Sequence, residues 1–295
     1  MLSILIPTYN YDTFSLAQSI HEQAIKANIT FEILVYDDAS SNWISNNDKI
    51  NNLEHAKFKL LKQNIGRSAI RNLLANDAKY TWLLFLDADT KIINENFIQV
   101  YLNEIKNTSN QIVYGGICYQ KDKPNNNQML RWVYGNKREA LSLSNRNKNP
   151  YLRFLTLNFL AKKDVFDTIK FNVDIPNLRH EDTLFALDAK KNNINIKHID
   201  NPVLHLGLEL SETFLKKSEQ ALDTLHLFVK QKLIEPQDTA LSKYAKSLIK
   251  FKLHYLLTVV YWIFKTPIKK HLLKNNPSLI LFDFYRLGYY LNLSK

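Results

Sequence analysis

"LLFLDADTKI", residues 83–92, joins a short apolar run to two aspartates. Its first four residues are apolar, which is typical of a strand buried in a sheet, and Asp87 and Asp89 follow at once. Two aspartates at positions i and i+2 can both face the crevice beyond the end of a strand. Such carboxylates suit Mg²⁺ or Mn²⁺, which also bind substrate phosphates. A strand that ends in a polar turn is the alternative, because aspartate is common in turns.

Apolar runs alternate with helix-sized segments through the first third of the chain. Strand-like runs cover residues 2–6, 31–36, 57–61 and 81–86, and helical spacing covers residues 13–27 and 67–78. This alternation predicts βαβ units and an α/β fold with a mostly parallel central sheet flanked by helices. Ligands of such sheets lie beyond the carboxyl ends of the strands. The polar residues at those ends are Thr8, Tyr9, Asn10, Asp37, Asp38, Asp87 and Asp89.

The remainder of the chain changes from a mixed to a helical pattern. Residues 111–119 and 194–199 are strand-like, and residues 129–143, 180–192, 212–232, 238–265 and 277–291 have helical spacing. We therefore expect an α/β domain over residues 1–210 and a basic, helical C-terminal extension over residues 211–295.

The composition excludes several classes of site. The single cysteine, Cys118, rules out an internal disulfide and a cysteine-based zinc site. The six glycines form neither GxGxxG nor GxxxxGKS/T, so the dinucleotide-fold and P-loop fingerprints are absent. No uninterrupted apolar run reaches about 18 residues, so we expect no transmembrane helix. The opening residues, "MLSILIPTYN", do not resemble a signal peptide, which favours a cytoplasmic protein.

The positive charge is concentrated near the C-terminus. The sequence has 39 Lys and Arg against 28 Asp and Glu, a formal net charge of +11. Residues 240–295 contain ten Lys or Arg and one acid, Asp283, so this part alone carries +9. Any anionic partner that is attracted by charge is therefore expected to bind there. Because no nucleic-acid-binding motif is present, we do not expect that partner to be nucleic acid.

One segment, residues 243–264, combines this charge with apolar and aromatic residues. Its basic residues with the spacing of one helical face are Lys243, Lys246, Lys250 and His254. A nearly apolar run follows over 253–264, which is too short to span a bilayer. The combination suits a helix at an anionic membrane surface, peripheral at the inner face of the cell membrane. The alternative is a helix that packs on the rest of the chain and exposes its lysines to water.

Several other candidate residues have ordinary structural explanations. Glu181 and Asp182 open a helical segment, where the helix dipole stabilises carboxylates by about 0.3–1 kcal/mol. His205 could be a core histidine, and Arg67 and Arg71 could lie on a solvated helix face. Taken singly, these residues do not indicate a function.

The order of the motifs is more informative than any one of them. The chain reads, in sequence, "ILIPTYN", "EILVYDDAS", "NIGRSAIRN", "FLDADT", "VYGG", "LNFLAKKDVF", "HEDTLFALDA" and "VLHLG". This series resembles the family 2 inverting glycosyltransferases of the GT-A fold, over residues 1–207. The resemblance implies a Rossmann-like central sheet and transfer of a sugar from a nucleotide-sugar donor, with UDP as the expected nucleotide.

The resemblance also implies which residues contact the donor. The expected nucleotide-sugar contacts are Pro7, Thr8, Tyr9, Asp38, Gly66, Arg67, Arg71 and Asp87. Among them, Asp38 matches the residue that accepts a hydrogen bond from uracil. Asn158, in "LNFL", is a further candidate for a contact with the sugar.

A cation and a catalytic base are implied as well. Asp89 is expected to ligate a divalent metal, Mn²⁺ or Mg²⁺, with Asp87 and His205 as further ligands. Asp182 matches the catalytic base, and Glu181 would help to place the acceptor, a saccharide or lipid-linked hydroxyl in surface glycan synthesis. A base of this kind accelerates a reaction by about 10²–10⁴-fold. The cation would stabilise the departing diphosphate.

Two other classes remain as alternatives. "FLDADTKI" also satisfies the DxDxT motif of haloacid-dehalogenase-like phosphatases, in which the first aspartate is a nucleophile. That interpretation leaves "PTYN", "DDAS" and "HED" unexplained, and such enzymes commonly carry their motif close to the N-terminus. A catalytically idle GT-A binding protein would not need Asp87, Asp89 and Asp182, so their joint presence argues against it.

Overall fold

The computed structural model of the chain describes residues 1–107, 109–174 and 179–293. Contacts within the chain divide it into two compact units. The sheet unit consists of Met1–Tyr119, Ala140–Asn177 and Glu181–Gly207. The helical unit consists of Gln120–Glu139, Leu178–His180 and Leu208–Lys295. Residues 120–139 therefore group with the C-terminal helices, although their position in the sequence predicts the first domain.

Strands and helices follow one another along the chain. The strands are β1 (Leu2–Thr8), β2 (Phe31–Asp37), β3 (Ala56–Leu60), β4 (Trp82–Leu86), β5 (Thr90–Ile92), β6 (Ile112–Tyr114), β7 (Ile117–Cys118), β8 (Asn158–Lys162), β9 (Ile196–His198) and β10 (Val203–His205). The α-helices are α1 (Phe14–Lys26), α2 (Ile44–Asp48), α3 (Arg67–Asp77), α4 (Phe97–Ile105), α5 (Met129–Tyr134), α6 (Leu143–Asn147), α7 (Val165–Thr168), α8 (Glu181–Lys191), α9 (Ser211–Lys230), α10 (Ala240–Lys250), α11 (His254–Leu272) and α12 (Leu279–Leu293).

The central sheet has seven strands in the order β3-β2-β1-β4-β8-β6-β9. The strands β1 to β4 form parallel pairs, β6 pairs in parallel with β9, and β8 is antiparallel to both of its neighbours. A smaller sheet has the order β5-β10-β7. The prediction of an α/β fold with a mostly parallel central sheet, flanking helices and a helical C-terminal extension is confirmed.

The apolar run of residues 83–86 lies in β4, in the middle of the central sheet. Every residue of β4 is buried, as is every residue of β2. Consecutive strand residues lie on opposite faces, so both faces of the sheet are covered. Phe85 of β4 stacks on Phe159 of β8 with 4.7 Å between the ring centroids. The same run places Asp87 directly after a rigid, buried strand.

Residues 111–119, predicted as one strand, form two strands in two different sheets. The division occurs at Gly115 and Gly116, and Gly116 has a φ of +100° that favours glycine. A Cβ on Gly115 would lie 2.6 Å from Nδ2 of Asn158, so a larger residue does not fit there. Strand β8 lies between β4 and β6 in the central sheet, and the motif "LNFLAKKDVF" did not predict that position.

Two predicted helices are also divided. Residues 129–143 contain α5 and then a π-helical turn, Gly135–Glu139. Residues 238–265 contain α10 and the start of α11, and the helix axes bend by 117° between them. Lys252, in the bend, has a φ of +61°. Because α10 ends before His254, the prediction that this histidine shares one helical face with three lysines is wrong.

The helical unit has its own apolar core. Its buried members include Leu130, Phe214, Tyr261, Phe282 and Tyr285. A Cβ on Gly288 of α12 would lie 2.5 Å from the Tyr261 ring, so glycine allows α11 and α12 to approach closely. Among the described residues, none of the helices alone has the length and apolar character of a membrane span. The bent pair α10 and α11 meets that test when the two helices are taken together, by length and composition only.

Candidate active site

The carboxyl ends of β1, β2 and β4 meet at one edge of the central sheet, because these strands are parallel neighbours. Strand β1 ends at Thr8, β2 ends at Asp37, and Asp87 directly follows β4. The backbone N–H of Asp38 donates to the carbonyl oxygen of Thr8 at 2.9 Å and joins the first two strand ends. This edge therefore collects polar residues from distant parts of the sequence.

Pro7, Thr8 and Tyr9 differ in what they expose at this edge. Pro7 is half-buried, and Thr8 is buried with its hydroxyl 3.4 Å from the carbonyl oxygen of Tyr11. Tyr9 is 56% exposed. A ligand at this edge would therefore meet the ring of Tyr9, whereas Pro7 and Thr8 offer mainly their backbone.

Asp38 is buried, and its carboxylate holds the loop that precedes α3. Oδ1 accepts a hydrogen bond from the backbone N–H of Ile65 at 2.7 Å, and Oδ2 accepts one from Gly66 at 2.9 Å. Gly66 is the N-cap residue of α3 and has a φ of +85°. Each carboxylate oxygen can accept a second hydrogen bond. The contact between Asp38 and uracil stays a prediction, and the structure adds a role in placing Arg67 at the start of α3.

Arg71 of α3 lies between acids from two other elements. Its Nη2 donates to Oδ1 of Asp87 at 2.7 Å, and its Nη1 lies 3.9 Å from Oε1 of Glu181. Arg67 also reaches Glu181, with 3.3 Å between Nη1 and Oε1. Burial lowers the pKa of Arg71, but the charges of Asp87 and Glu181 outweigh burial and raise the pKa. Arg71 is only 5% exposed, so a solvated helix face is the wrong description of it.

Asp182, the second residue of α8, has a pKa raised to about 6. Burial is the largest cause, and the charge of Glu181 adds to it. The backbone N–H of Thr183, 2.7 Å from Oδ1, and the charge of Arg71 act in the opposite direction. Burial raises the pKa of Asp87 as well, against the effect of Arg71. A carboxyl group with a pKa near neutrality is ionised at neutral pH and is a stronger base than an ordinary aspartate.

Asp89 and His205 form a second pair in the sheet unit. Oδ2 of Asp89 lies 3.3 Å from Nε2 of His205. The pair results from the antiparallel pairing of β5 with β10, which places His205 opposite Thr90. Nδ1 of His205 is buried and has no hydrogen-bond partner among the described residues. A Cβ on Gly207 would collide with Asp89 and His205, so glycine is needed beside this pair.

The carboxylate of Asp89 and the imidazole of His205 are suited to bind a divalent cation that also binds a diphosphate. A carboxylate is the kind of ligand that Mg²⁺ and Mn²⁺ prefer, and the imidazole adds a nitrogen ligand. Such ions usually retain positions for water and substrate phosphates. Asp87 is paired with Arg71 instead of completing the set. Within the described residues, no group of three or more His, Cys, Asp or Glu side chains is placed to hold a metal, so the expected three-ligand set is not assembled there.

A family relationship covers the same part of the chain. The sequence profile described as "Glycosyl transferase family 2" matches residues 3–171, more than half of the chain. The chain belongs to glycosyl transferase family 2. The matched region contains Asp38, Arg71, Asp87 and Asp89, while Asp182 lies beyond its end. The predicted family and transferase class are confirmed, and the phosphatase interpretation of "FLDADTKI" loses its support.

A relative with a similar sequence agrees with this assignment. An uncharacterized glycosyltransferase of Haemophilus influenzae is 25% identical to this family 2 glycosyltransferase over 195 residues. The aligned region is 65% of this chain and 72% of the relative.

Solved structures share the fold of this family 2 glycosyltransferase. S. aureus TarS 1–349 in complex with UDP-GlcNAc has a TM-score of 0.52 and 20% identity, over 75% of this chain and 65% of that one. Glucosyl-3-phosphoglycerate synthase from Mycobacterium tuberculosis, in complex with Mn²⁺, UDP and glucosyl-3-phosphoglycerate, has a TM-score of 0.52 and 13% identity, over 76% and 78% of the two chains. In a longer TarS structure the matched region is 39% of that chain. The expected GT-A fold is confirmed, and at these identities the likeness concerns the fold alone.

Asn158 is not part of the group at the sheet edge. It is fully buried in β8, where Nδ2 donates to the carbonyl oxygens of Gly116 at 3.0 Å and Asn201 at 2.9 Å. Its Oδ1 accepts a hydrogen bond from Oη of Tyr101 at 2.7 Å. The amide therefore joins β8 to its surroundings, and the expectation that Asn158 contacts the sugar is corrected.

The motifs missed a cavity that adjoins β5 of this glycosyltransferase. It has a volume of about 520 Å³, and its lining includes Tyr11, Trp43, Ala88, Thr90 and Leu206. Burial and the charge of Asp89 raise the pKa of Tyr11. Tyr11 directly follows "PTYN", and that position is the signal that could have found it. Trp43 lies in a loop between β2 and α2 and offers no comparable signal.

Proposed function

We propose that this protein transfers a hexose-type sugar from a UDP-linked donor to an acceptor hydroxyl, with inversion at the anomeric carbon. The observation that carries the proposal is the environment of Asp182. The pKa of its carboxyl group is about 6, and the nearby charge of Arg71 acts to lower that pKa. Arg71 is itself paired with Asp87, which directly follows β4. The proposed acceptor is a saccharide or lipid-linked hydroxyl in the synthesis of a surface glycan.

UDP is the proposed nucleotide because two structures with this fold contain UDP or UDP-GlcNAc. The exposed ring of Tyr9 offers a flat apolar surface on which a base can stack. Asp38 retains capacity to accept a hydrogen bond from the base. Arg67, whose side chain is 47% exposed, offers a guanidinium to the diphosphate. Arg71 is buried and paired with Asp87, so it stabilises the same region and is not proposed to bind the diphosphate directly.

We propose Asp89 and His205 as the protein ligands of a divalent cation, Mn²⁺ or Mg²⁺. Bound there, the cation would neutralise the charge that develops on the departing diphosphate. A metal is supported by the Mn²⁺ that accompanies UDP in the Mycobacterium tuberculosis synthase. The contribution of this chain is the pair itself, which holds a carboxylate and an imidazole 3.3 Å apart.

In the proposed reaction, Asp182 takes the proton of the acceptor hydroxyl while the acceptor oxygen bonds to the anomeric carbon. The bond from that carbon to the diphosphate oxygen breaks, and its electron pair stays on UDP. Attack on the face opposite the leaving group inverts the configuration, and a covalent intermediate with the protein is not needed. Glu181, held by Arg67 and within 3.9 Å of Arg71, is proposed to position the acceptor.

The decisive experiment compares two aspartates of α8. We expect Asp182→Asn to lower the rate of sugar transfer by about 10²–10⁴-fold, because the base is lost. Its affinity for UDP should stay within about twofold, because the base acts on the acceptor. Asp188→Asn is the matched control, since Asp188 lies in the same helix with 43% of its side chain exposed. If Asp182→Asn kept most of the rate, Asp182 would not be the base.

The donor and the stereochemistry need separate measurements. A panel of nucleotide-sugars with and without Mn²⁺ should raise the melting temperature most for UDP-linked donors, because a ligand that binds the native state stabilises it. NMR of the product should show the anomeric configuration opposite to that of the donor. An unchanged configuration would overturn inversion. Donor binding without transfer to any hydroxyl acceptor would favour the idle binding protein.

A further inference from the structure

The helical unit exposes large apolar side chains along α11. These residues, here called the apolar face, are Tyr255, Leu256, Val259, Trp262 and Ile263, and each is 50–64% exposed. Their spacing places them on one side of the helix. The buried side of the same helix carries Thr258, Tyr261, Ile268 and Leu272. Helix α11 is thus apolar on both sides, although only one side packs into the unit.

Residues next to α11 extend the exposed apolar surface. Phe251 is 67% exposed and Leu253 is 49% exposed, and both lie in the bend between α10 and α11. Tyr244 of α10 is also 67% exposed. Single exposed apolar residues are ordinary, but a group of this kind marks an interaction surface.

Lysines flank the apolar face at both ends. Lys250 and Lys252 precede it, and Lys265, Lys269 and Lys270 follow it. Nζ of Lys265 lies 3.4 Å from the centroid of the Trp262 ring. The one acid in residues 240–295 is Asp283, which is already paired with Arg138. The C-terminal residues that carry the apolar face, 240–295, therefore have a net charge of +9.

This charge decides between two occupants of the apolar face. A second copy of the chain would bring an equal positive charge against it, and like charges at an interface are unfavourable. An anionic lipid surface supplies both the negative charge and an apolar layer in which the side chains can be buried. Tyrosine and tryptophan, each with an apolar body and a polar group, suit the boundary between these layers.

We propose that α11 lies on the surface of an anionic membrane, with the apolar face at the acyl boundary and the flanking lysines among the lipid headgroups. The helix has 19 residues and contains Pro267. It lies along the surface and does not cross the bilayer. The membrane that fits is the cytoplasmic leaflet, whose anionic lipids attract basic segments. The proposal does not depend on the glycosyl transfer proposed above.

Vesicle flotation with the full-length chain tests the proposal through two variants with the same change in charge. The first is Val259→Glu with Ile263→Glu, on the apolar face. The control is Ile25→Glu with Ile280→Glu, which are 47% and 81% exposed and lie on α1 and α12. On phosphatidylglycerol-containing vesicles, we expect the first variant to lose about tenfold or more in partitioning and the control to bind nearly as wild type does. Equal loss in both variants would overturn the proposal.

Trp262 gives a second measurement that needs no disruptive change. Brominated lipids in anionic vesicles should quench part of the tryptophan fluorescence, and Trp262→Phe should remove that quenching. Unchanged quenching in Trp262→Phe would show that α11 does not enter the lipid. Sedimentation measurements separate the other occupant: a concentration-dependent dimer that the glutamate pair abolishes, without vesicle binding by the wild type, would overturn the proposal in favour of self-association.

Discussion

The sheet unit and the helical unit depart from the usual rule of burial in opposite ways. The sheet unit buries charge, since Arg71 is 5% exposed and Asp38 is 4% exposed. The helical unit exposes Leu256 and Ile263, which are 64% and 63% exposed, although burial would stabilise each side chain by about 1.5–3 kcal/mol. Stability accounts for neither arrangement. A buried charge and an exposed apolar surface are the two observations that point to function.

The two regions also differ in how their residues depend on one another. The charges of the sheet unit are joined across three elements, because Arg71 of α3 contacts Asp87 after β4 and Glu181 of α8. The apolar face lies on a single helix, and its members do not need each other as partners. Substitutions in the charged group should therefore have coupled effects, whereas those on the apolar face should act nearly independently.

The largest expected effect on stability tests whether the buried charges depend on each other. Arg71→Met should lower the free energy of unfolding by about 3–5 kcal/mol, because Asp87 loses its buried partner and Glu181 keeps only the more exposed Arg67. Urea denaturation measures this loss. Arg67→Met is the matched control in the same helix, and because Arg67 is 47% exposed its loss should stay below about 1 kcal/mol. Equal losses in the two variants would show that burial does not distinguish the two arginines.

A smaller effect is expected at the Asp89–His205 pair. Asp89→Asn should weaken the Mn²⁺-dependent part of UDP binding by about tenfold or more, because one charged ligand of the cation is lost. Calorimetry with and without Mn²⁺ separates this part from metal-independent binding, which should not change. Asp48→Asn, at an exposed position of α2, is the control. The ligand assignment fails if Mn²⁺ strengthens UDP binding equally in the wild type and in Asp89→Asn.

Sequence patterns predict the sheet because the buried strands are read directly from apolar runs. Residues 31–36 and 81–86 match β2 and β4 to within one residue at each end. The pattern failed at Gly115 and Gly116, where one apolar run passes between two sheets, and at residues 251–253, where a helical pattern continues through a sharp bend. Spacing along a chain does not record a single residue with positive φ such as Lys252.

Candidate site residues could be chosen by motif, but their partners could not. Nothing in "LNFL" distinguishes an asparagine that meets a ligand from one whose amide is committed to Gly116, Asn201 and Tyr101. The same holds for Asp38, whose oxygens hold the loop before α3. These contacts join residues far apart in the sequence, so they depend on the complete fold.

The pH dependence of the transfer rate and of the melting temperature tests whether the buried carboxyl group of Asp182 is retained for function. Because Asp182 must be ionised to act as a base and has a pKa of about 6, the transfer rate should fall about tenfold per pH unit below that value. Folding raises this pKa from 3.8, so Asp182 contributes stability below pH 3.8 that is lost as pH rises through about 6. Asp182→Asn, which stays uncharged, should therefore melt at a higher temperature than the wild type at pH 8. This difference should shrink towards pH 4, and a constant difference would contradict it.

The smallest expected effect concerns the lysines beside the apolar face. Lys270→Gln should weaken binding to anionic vesicles by about fivefold, since one basic residue near such a surface contributes about 1 kcal/mol. Lys57→Gln, at an exposed position of β3, makes the same change in net charge and should have almost no effect. The difference between the two variants should shrink as salt is added, because a salt-screened attraction is being measured. If both variants lost binding equally, the attraction would depend on the total charge of the protein. The proposal that the apolar face orients the protein on the membrane would then be wrong.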